Sequence, residues 1–164
     1  MKVTNYHQYF MDLASQCIDI GHTAENQKFA RLELNEDILV CKAKIDTATP
    51  CMFVGLIENN LIDRYADNPH IHTTVLMLIA KKSKTMDFAA KADILKECEE
   101  IGYTVLSRIY KDKTEVKIQG FDRNSISFSE VFDTPSTNDV GVLFRFVLHR
   151  SINPELYYDP AKWQ

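Results

Sequence analysis

The sequence predicts a single α+β domain over residues 1–164, with a mostly antiparallel sheet packed against an N-terminal helix and one long central helix. Apolar residues recur at helical spacing in two separate stretches and alternate with polar residues in several others. The predicted elements follow in the order helix, strands, helix, strands, which is typical of α+β proteins. The 164 residues contain no internal repeat and no low-complexity tract, so one domain is expected.

The first predicted helix lies within "NYHQYFMDLASQCIDIGHT". Thr4 or Asn5 is suited to cap its start, and Gly21 is suited to end it. We expect this helix to pack on the sheet, with an interaction helix as the alternative. Its apolar residues share one face: Tyr6, Tyr9, Phe10, Leu13, Cys17 and Ile20.

Strands are predicted on either side of a polar segment in the next part of the chain. "KFARLELNEDILVCKAKI" predicts two short strands with "NED" as their turn, or one short strand and a longer segment. The apolar run "CMFVGLIE" predicts a well-buried strand. Residues 59–71 are polar and include Pro69, so a long excursion is expected there. "HTTVLMLIAKK" is apolar on both faces, which is typical of a central strand.

The long central helix is predicted within "KSKTMDFAAKADILKECEEIGYTVLSRIYKDK". Thr85 or Asp87 is suited to cap its start, and Lys111 and Lys113 lie at its end, where the helix dipole favours cations. The run "KECEE" is typical of a solvated helix face rather than of catalytic carboxylates. The predicted apolar stripe consists of Phe88, Ala92, Leu95, Cys98, Gly102, Val105 and Ile109.

Three strands are predicted after this helix. "TEVKIQGF" and "NSISFSEVF" predict two of them, with "DRN" as the turn. "VGVLFRFVLHRSI" has the clearest strand pattern in the chain. One face of this strand, from Val140 to Leu148, is apolar. The other face mixes Leu143 and Val147 with Arg145 and His149, among others, so we expect the second face of the sheet to meet another molecule.

The last residues, "INPELYYDPAKWQ", predict an extended C-terminal arm over residues 153–164. Two prolines exclude a regular helix or a central strand there. Tyr157, Tyr158 and Trp163 are of the residue types that are enriched at protein interfaces. We expect the arm to lie on a neighbouring subunit, with a tail folded onto its own domain as the alternative.

Composition and charge exclude several classes of protein. The net charge of −4 disfavours a basic nucleic-acid surface. The start of the chain lacks the apolar segment of a signal peptide, and the longest apolar run is far below the roughly 20 residues that a spanning helix needs. We therefore expect synthesis in a reducing cytoplasm, no membrane partner, and free thiols at Cys17, Cys41, Cys51 and Cys98.

Residues with catalytic or ligand-binding spacing are sparse. None of the five glycines lies within four residues of another, so no phosphate-binding loop is predicted. His70 and His72 would share one face of a strand, and a metal would need a third ligand such as His149 or Cys98. We expect no catalytic residue, no metal and no cofactor. The alternative is a small intracellular enzyme that uses one of these histidines or a cysteine.

Five stretches resemble small α+β proteins of tailed phages and phage-derived injection machines, in the tail-terminator and neck (tail-completion) group. They are "YHQYFMDLA", "TTVLMLIAKK", "DILKECEEIGYTVLSRIYKD", "FDRNSISFSEV" and "YYDPAKW". The resemblance implies a non-enzymatic virion protein that forms a ring, often a hexamer. Such a ring caps the tail tube, contacts tube, sheath or neck proteins, and lets DNA pass through its lumen.

A ring of this kind requires head-to-tail contacts that close by rotation, and an edge strand or extended terminus suits such contacts. An adaptor module that binds a partner through its sheet edge is a further alternative. The residues that we expect at the interface are Asn59, Asn60, Arg64, Tyr65, Arg145, His149, Tyr157, Tyr158 and Trp163.

Overall fold

The computed structural model describes residues 5–32, 45–62, 69–84, 87–118, 120–132 and 138–151. Two helices and five strands are described in these ranges. In chain order they are α1 (Tyr6–Gln16), β1 (Phe29–Leu32), β2 (Cys51–Ile62), β3 (His70–Lys82), α2 (Phe88–Thr114), β4 (Phe121–Phe132) and β5 (Asp139–Ser151).

The five strands form one sheet in the order β1-β2-β3-β5-β4. β1 runs parallel to β2, and every other described pair is antiparallel. The fold is therefore α+β, as predicted, with an N-terminal helix and a long central helix on a mostly antiparallel sheet. β3 lies at the centre of the sheet, as its two apolar faces indicated.

Both helices pack on the same face of the sheet, which we call the covered face. β5 supplies a row of buried side chains to this face, because alternate residues of a strand point to the same side. Gly102 lets α2 approach that row closely, since a β-carbon at this position would overlap the ring of Phe144. The row consists of Val140, Val142, Phe144, Phe146 and Leu148.

Of the residues predicted to cap the starts of the helices, the structure confirms Asn5 and Asp87. The Asn5 side chain accepts a hydrogen bond from the Gln8 amide at 3.2 Å, and Asp87 accepts one from the Ala89 amide at 3.4 Å. The predicted end of α1 at Gly21 was wrong, because the helix ends at Gln16 with Cys17 as its C-cap, and Gly21 comes only after the following turn, with a φ of 61°. Two members of the predicted α2 stripe were wrong, because the Phe88 side chain is 77% exposed and Ala92 is also exposed.

The polar excursion predicted for residues 59–71 was wrong at both of its ends, where residues 59–62 and 70–71 belong to two paired strands; residues 63–68 lie outside the described residues. β2 continues to Ile62 and β3 already begins at His70, so that Asn60 pairs with His72 and Ile62 with His70. Main-chain pairing explains the difference, because an exposed strand end tolerates polar side chains. A bulge between Leu56 and Glu58 interrupts the register of these two strands.

The predicted strand "TEVKIQGF" and the predicted turn "DRN" were also wrong. Thr114 ends α2, residues 115–118 turn, and β4 begins only at Phe121. "DRN" lies in a bulge of β4, where the register shifts between Asp122 and Ser127. Ser125 explains the bulge, since its hydroxyl donates to the Asp122 carbonyl at 2.7 Å and accepts from the Val147 amide at 2.8 Å.

Candidate interaction surfaces

The face of the sheet opposite the helices is only partly covered by the described residues, and we call it the open face. One end of it carries a small apolar cluster around Ile45 and Phe53. Alongside and beyond this cluster, Leu143 and Val147 of β5 are half-buried, and Arg145 between them is exposed. The strand that supplies the core on the covered face thus presents a mixed apolar and cationic surface on the open face.

Three histidines lie on the open face, and two of them, His72 and His149, are in contact. His70 and His72 share this face, as predicted from their spacing, and His149 lies directly opposite His72 in the neighbouring strand. The rings of His72 and His149 are nearly perpendicular, with centroids 4.0 Å apart. Burial lowers the pKa of His149, and the neighbouring His72 lowers it further. The site therefore disfavours a charged His149.

The structure separates the two residues that were considered as a third metal ligand. His149 lies beside His72, whereas Cys98 is buried among the apolar residues of the covered face. Burial raises the pKa of the Cys98 thiol to about 12, so this cysteine behaves as a small apolar residue. Within the described ranges, no three His, Cys, Asp or Glu residues are grouped as metal ligands.

A groove of about 250 Å³ between α1 and α2 is the place to look for a catalytic cysteine, because Cys17 lines it. Leu13 and Val105 line it together with Cys17, which is half-buried. None of the described residues that line the groove is a histidine, which a Cys-His nucleophilic pair requires. Cys51 is buried in the sheet, and Cys41 lies outside the described residues.

A second surface lies at the β4 side of the sheet, where α2 covers the edge strand only in part. It consists of Phe128, Glu130 and Phe132 of β4 with Tyr103 of α2, and we call it the aromatic edge. Phe128, Phe132 and Tyr103 are 52%, 50% and 44% exposed. The ring centroids of Tyr103 and Phe128 are 6.0 Å apart and their planes are nearly perpendicular. Large exposed aromatic groups of this kind mark protein-binding surfaces.

The position of α2 explains why these aromatic side chains are exposed. α2 packs mainly on β5 and β3, the two strands next to each other at the middle of the sheet. Phe128 lies opposite Phe144 on the covered face, but only Phe144 is fully buried beneath α2. The second half of the edge strand therefore carries a core-like residue pattern that α2 covers only in part.

The two halves of β4 differ in how regularly their main chains pair with β5. The bulge after Asp122 disrupts the first half, and bulges of this kind protect sheet edges from further pairing. The second half, residues 127–132, pairs regularly with β5. Among the described strands β4 is an edge, so this regular half has one side without a described partner strand.

The expected interface residues fall in three places. Asn60, Arg145 and His149 lie on the open face. Asn59 lies on the covered face, where its side chain accepts a hydrogen bond from the Thr73 hydroxyl at 2.7 Å. The remaining five lie outside the described residues, as does the proposed arm 153–164: Arg64, Tyr65, Tyr157, Tyr158 and Trp163.

Sequence reasoning missed the aromatic edge and a buried carboxylate. Phe128 was read correctly as one face of a strand, but its position at an edge depends on strand order. Asp112 is buried in α2, where it accepts hydrogen bonds from the Tyr9 hydroxyl at 3.0 Å and from Nε of Arg108 at 3.1 Å. Burial and the adjacent carboxylate raise the pKa of Tyr9. This network joins α1 to α2, and a pair such as Arg108 and Asp112 at four-residue spacing was the available signal.

No protein-family model matches the sequence, and a comparison with curated proteins gives no match. Neither described helix combines the length and the apolar character that a membrane crossing requires.

Proposed function

We propose that this protein is a non-enzymatic structural subunit that forms a closed ring in a phage tail or a phage-like injection machine. In this proposal the ring caps the tail tube or joins it to neck or sheath proteins, and the proteins that the chain resembles often form hexamers. The particle is its final location after synthesis in the host cytoplasm. The sequence resemblance to tail-terminator and neck proteins suggests the type of machine, and DNA would pass through the lumen of the ring.

The single observation that supports ring formation is the presence of two different exposed surfaces on one subunit. A ring that closes by rotation uses head-to-tail contacts, so each subunit must offer two distinct, complementary patches. The aromatic edge and the open face meet this requirement, because they differ in position and in chemistry. A symmetric dimer would need only one self-complementary patch.

The chemistry of the two surfaces also fits protein contacts. Exposed Phe128 and Phe132 supply large apolar area, and aromatic residues dominate the energetics of many interfaces. The half-buried Leu143 and Val147 would lose further water-accessible area when a partner covers them.

The proposal is tested by measuring the mass of the purified protein with light scattering and native mass spectrometry. We expect a discrete ring, either alone or after isolated tail tubes are added. Replacing Phe128 and Phe132 together with serine should abolish the ring. The matched control is Ile18→Ser, because Ile18 is 95% exposed but lies just after α1, outside both surfaces. A monomer at every concentration that also ignores tube ends would contradict the proposal.

An adaptor module is a second candidate, and the regular half of β4 favours it. An extended peptide adds a strand to an exposed sheet edge through main-chain hydrogen bonds. In this function residues 127–132 would bind a segment of a different protein. Pull-down with tail-tube, sheath and neck proteins separates the candidates, since a ring subunit retains these proteins and an unrelated adaptor does not.

A further inference from the structure

We infer that the aromatic edge of one copy packs on the open face of the next copy, with Glu130 of the first copy paired to Arg145 of the second. This inference rests on the proposed ring and specifies its repeating contact. The structure describes the side chains on both surfaces, and the inference makes Glu130 and Arg145 partners of each other.

The two surfaces carry matching rows of side chains. On β4, Glu130 lies between Phe128 and Phe132 at two-residue spacing. On β5, Arg145 lies between Leu143 and Val147 at the same spacing. Each row extends over five residues of strand, and its four residue steps span about 13 Å. Both rows thus have a charge at the centre and an apolar group on each side, and the two charges are opposite.

Both central charges are available for such a pairing. Glu130 and Arg145 are exposed, and within the described ranges neither makes an ion pair. The side chains that flank Glu130 are large, half-exposed aromatic groups, and those that flank Arg145 are half-buried aliphatic groups. Packing of these groups would exclude water around the ion pair, and a charge pair at the centre of an interface fixes register and partner choice.

The positions of the two rows require a head-to-tail contact. Glu130 points to the covered side of the sheet, since it lies opposite buried Val142, whereas Arg145 points to the open side. Edge-to-edge pairing of two aromatic edges would instead bring two Glu130 carboxylates near each other, which is unfavourable. The contact therefore uses different surfaces of the two copies, and repeating it generates a closed or open chain of subunits.

The test is a charge exchange between the two positions. We expect Glu130→Arg and Arg145→Glu each to weaken self-association by at least about tenfold, because each change places like charges together at the contact. The double variant carries both changes and should recover the ring, since every contact again pairs opposite charges. Circular dichroism and thermal unfolding should match wild type, because both residues are exposed.

Mixing the two single variants provides a sharper outcome. The Glu130→Arg chain carries a positive charge on both surfaces, and the Arg145→Glu chain carries a negative charge on both. Every contact in an alternating ring therefore joins opposite charges, so the mixture should form rings with equal numbers of the two chains. Native mass spectrometry identifies this composition directly. The single variants exclude a symmetric contact, since such a contact would join like charges in the wild type as much as in each variant and would not be weakened by the exchange.

Three results would overturn the inference. If the single variants assemble like wild type, Glu130 and Arg145 are not paired. The proposed function would still stand in that case, because the wild-type protein forms a ring. If those variants assemble but a chain ending at residue 152 does not, the C-terminal segment is the occupant instead. A wild-type protein that never assembles would remove both the inference and the proposed function.

Discussion

The two faces of the sheet share the same strands but differ in what completes them. On the covered face, alternate residues of β5 such as Phe144 and Phe146 are fully buried, Phe144 against α2 and Phe146 against Phe10 of α1. On the open face, Arg145 is exposed and Val147 is half-buried. Burial of these β5 side chains is complete within one chain, whereas on the open face the same strand keeps apolar groups in contact with water. This difference indicates that one face maintains the fold and that the other is suited to a partner.

Neighbouring residues of β5 give the largest expected contrast between the faces. Phe146→Ala should lower the free energy of unfolding by about 3–5 kcal/mol, because it removes a fully buried ring and leaves a cavity. Val147→Ala should cost about 1 kcal/mol, since this side chain is only half-buried. Urea unfolding of the two variants measures both values. Equal losses would show that the open face belongs to the core as much as the covered face does.

The next largest effect concerns the network that joins the helices over the covered face. Asp112→Ala should destabilise the fold by about 2 kcal/mol, because it leaves the buried Tyr9 hydroxyl without its acceptor and removes the partner of Arg108. Tyr9→Phe alone should cost less. A double-mutant cycle by chemical unfolding measures the coupling of Tyr9 and Asp112, and a coupling near zero would contradict this role.

A smaller effect, which raises the stability of the protein instead of lowering it, is expected where α2 ends. Val116 has a φ of 59°, and the Lys117 amide donates to the Asp112 carbonyl at 2.8 Å, which is the helix-ending motif that usually places glycine at this position. Val116→Gly should stabilise the protein by about 1 kcal/mol, because an L residue is strained in the left-handed region. The control Thr114→Gly, inside the last helical turn, should destabilise it. A lower unfolding midpoint for Val116→Gly would show that the valine makes a compensating contact.

The smallest effect is the pH dependence of the open face. Burial and His72 lower the pKa of His149, so the unfolded chain binds this proton more tightly than the folded one. The stability that the neutral His149 side chain contributes is therefore fully present above the ordinary histidine pKa of about 6.5. It is lost as the pH falls through the lowered pKa of the folded state. His149→Gln should flatten the decline in stability between about pH 7 and pH 5. An imidazole titration by NMR with a midpoint above that of a free histidine would contradict this sign.

Several local features were predictable because the signals that specify them lie close together in sequence. The Asn5 and Asp87 caps, the long apolar stripe of α2 and the alternation of β5 each depend on residues a few positions apart. The pairing of residues 59–62 with residues 70–73 and the bulge in β4 were not predictable in this way. Both depend on hydrogen bonds between segments, such as that from the Val147 amide to Ser125.

The residues of the candidate surfaces were also predictable only where a pattern within one strand specified them. Arg145 and His149 were predicted from the mixed second face of β5, and the structure places both on the open face. Phe128 and Phe132 were not predicted, because the same alternating pattern would be core beneath a helix and becomes surface only at an edge. Their exposure follows from the strand order and from the position of α2.

The sequence by itself determined the α+β class, the two helices, the central strand β3 and the two-sided character of β5. These follow from short-range periodicity, which reflects the geometry of a single element. Only the tertiary structure decided which strand lies at the edge, which side of the sheet the helices cover, and where Glu130 and Arg145 point. Those properties depend on contacts between residues that are distant in sequence, and no local pattern encodes which elements become neighbours.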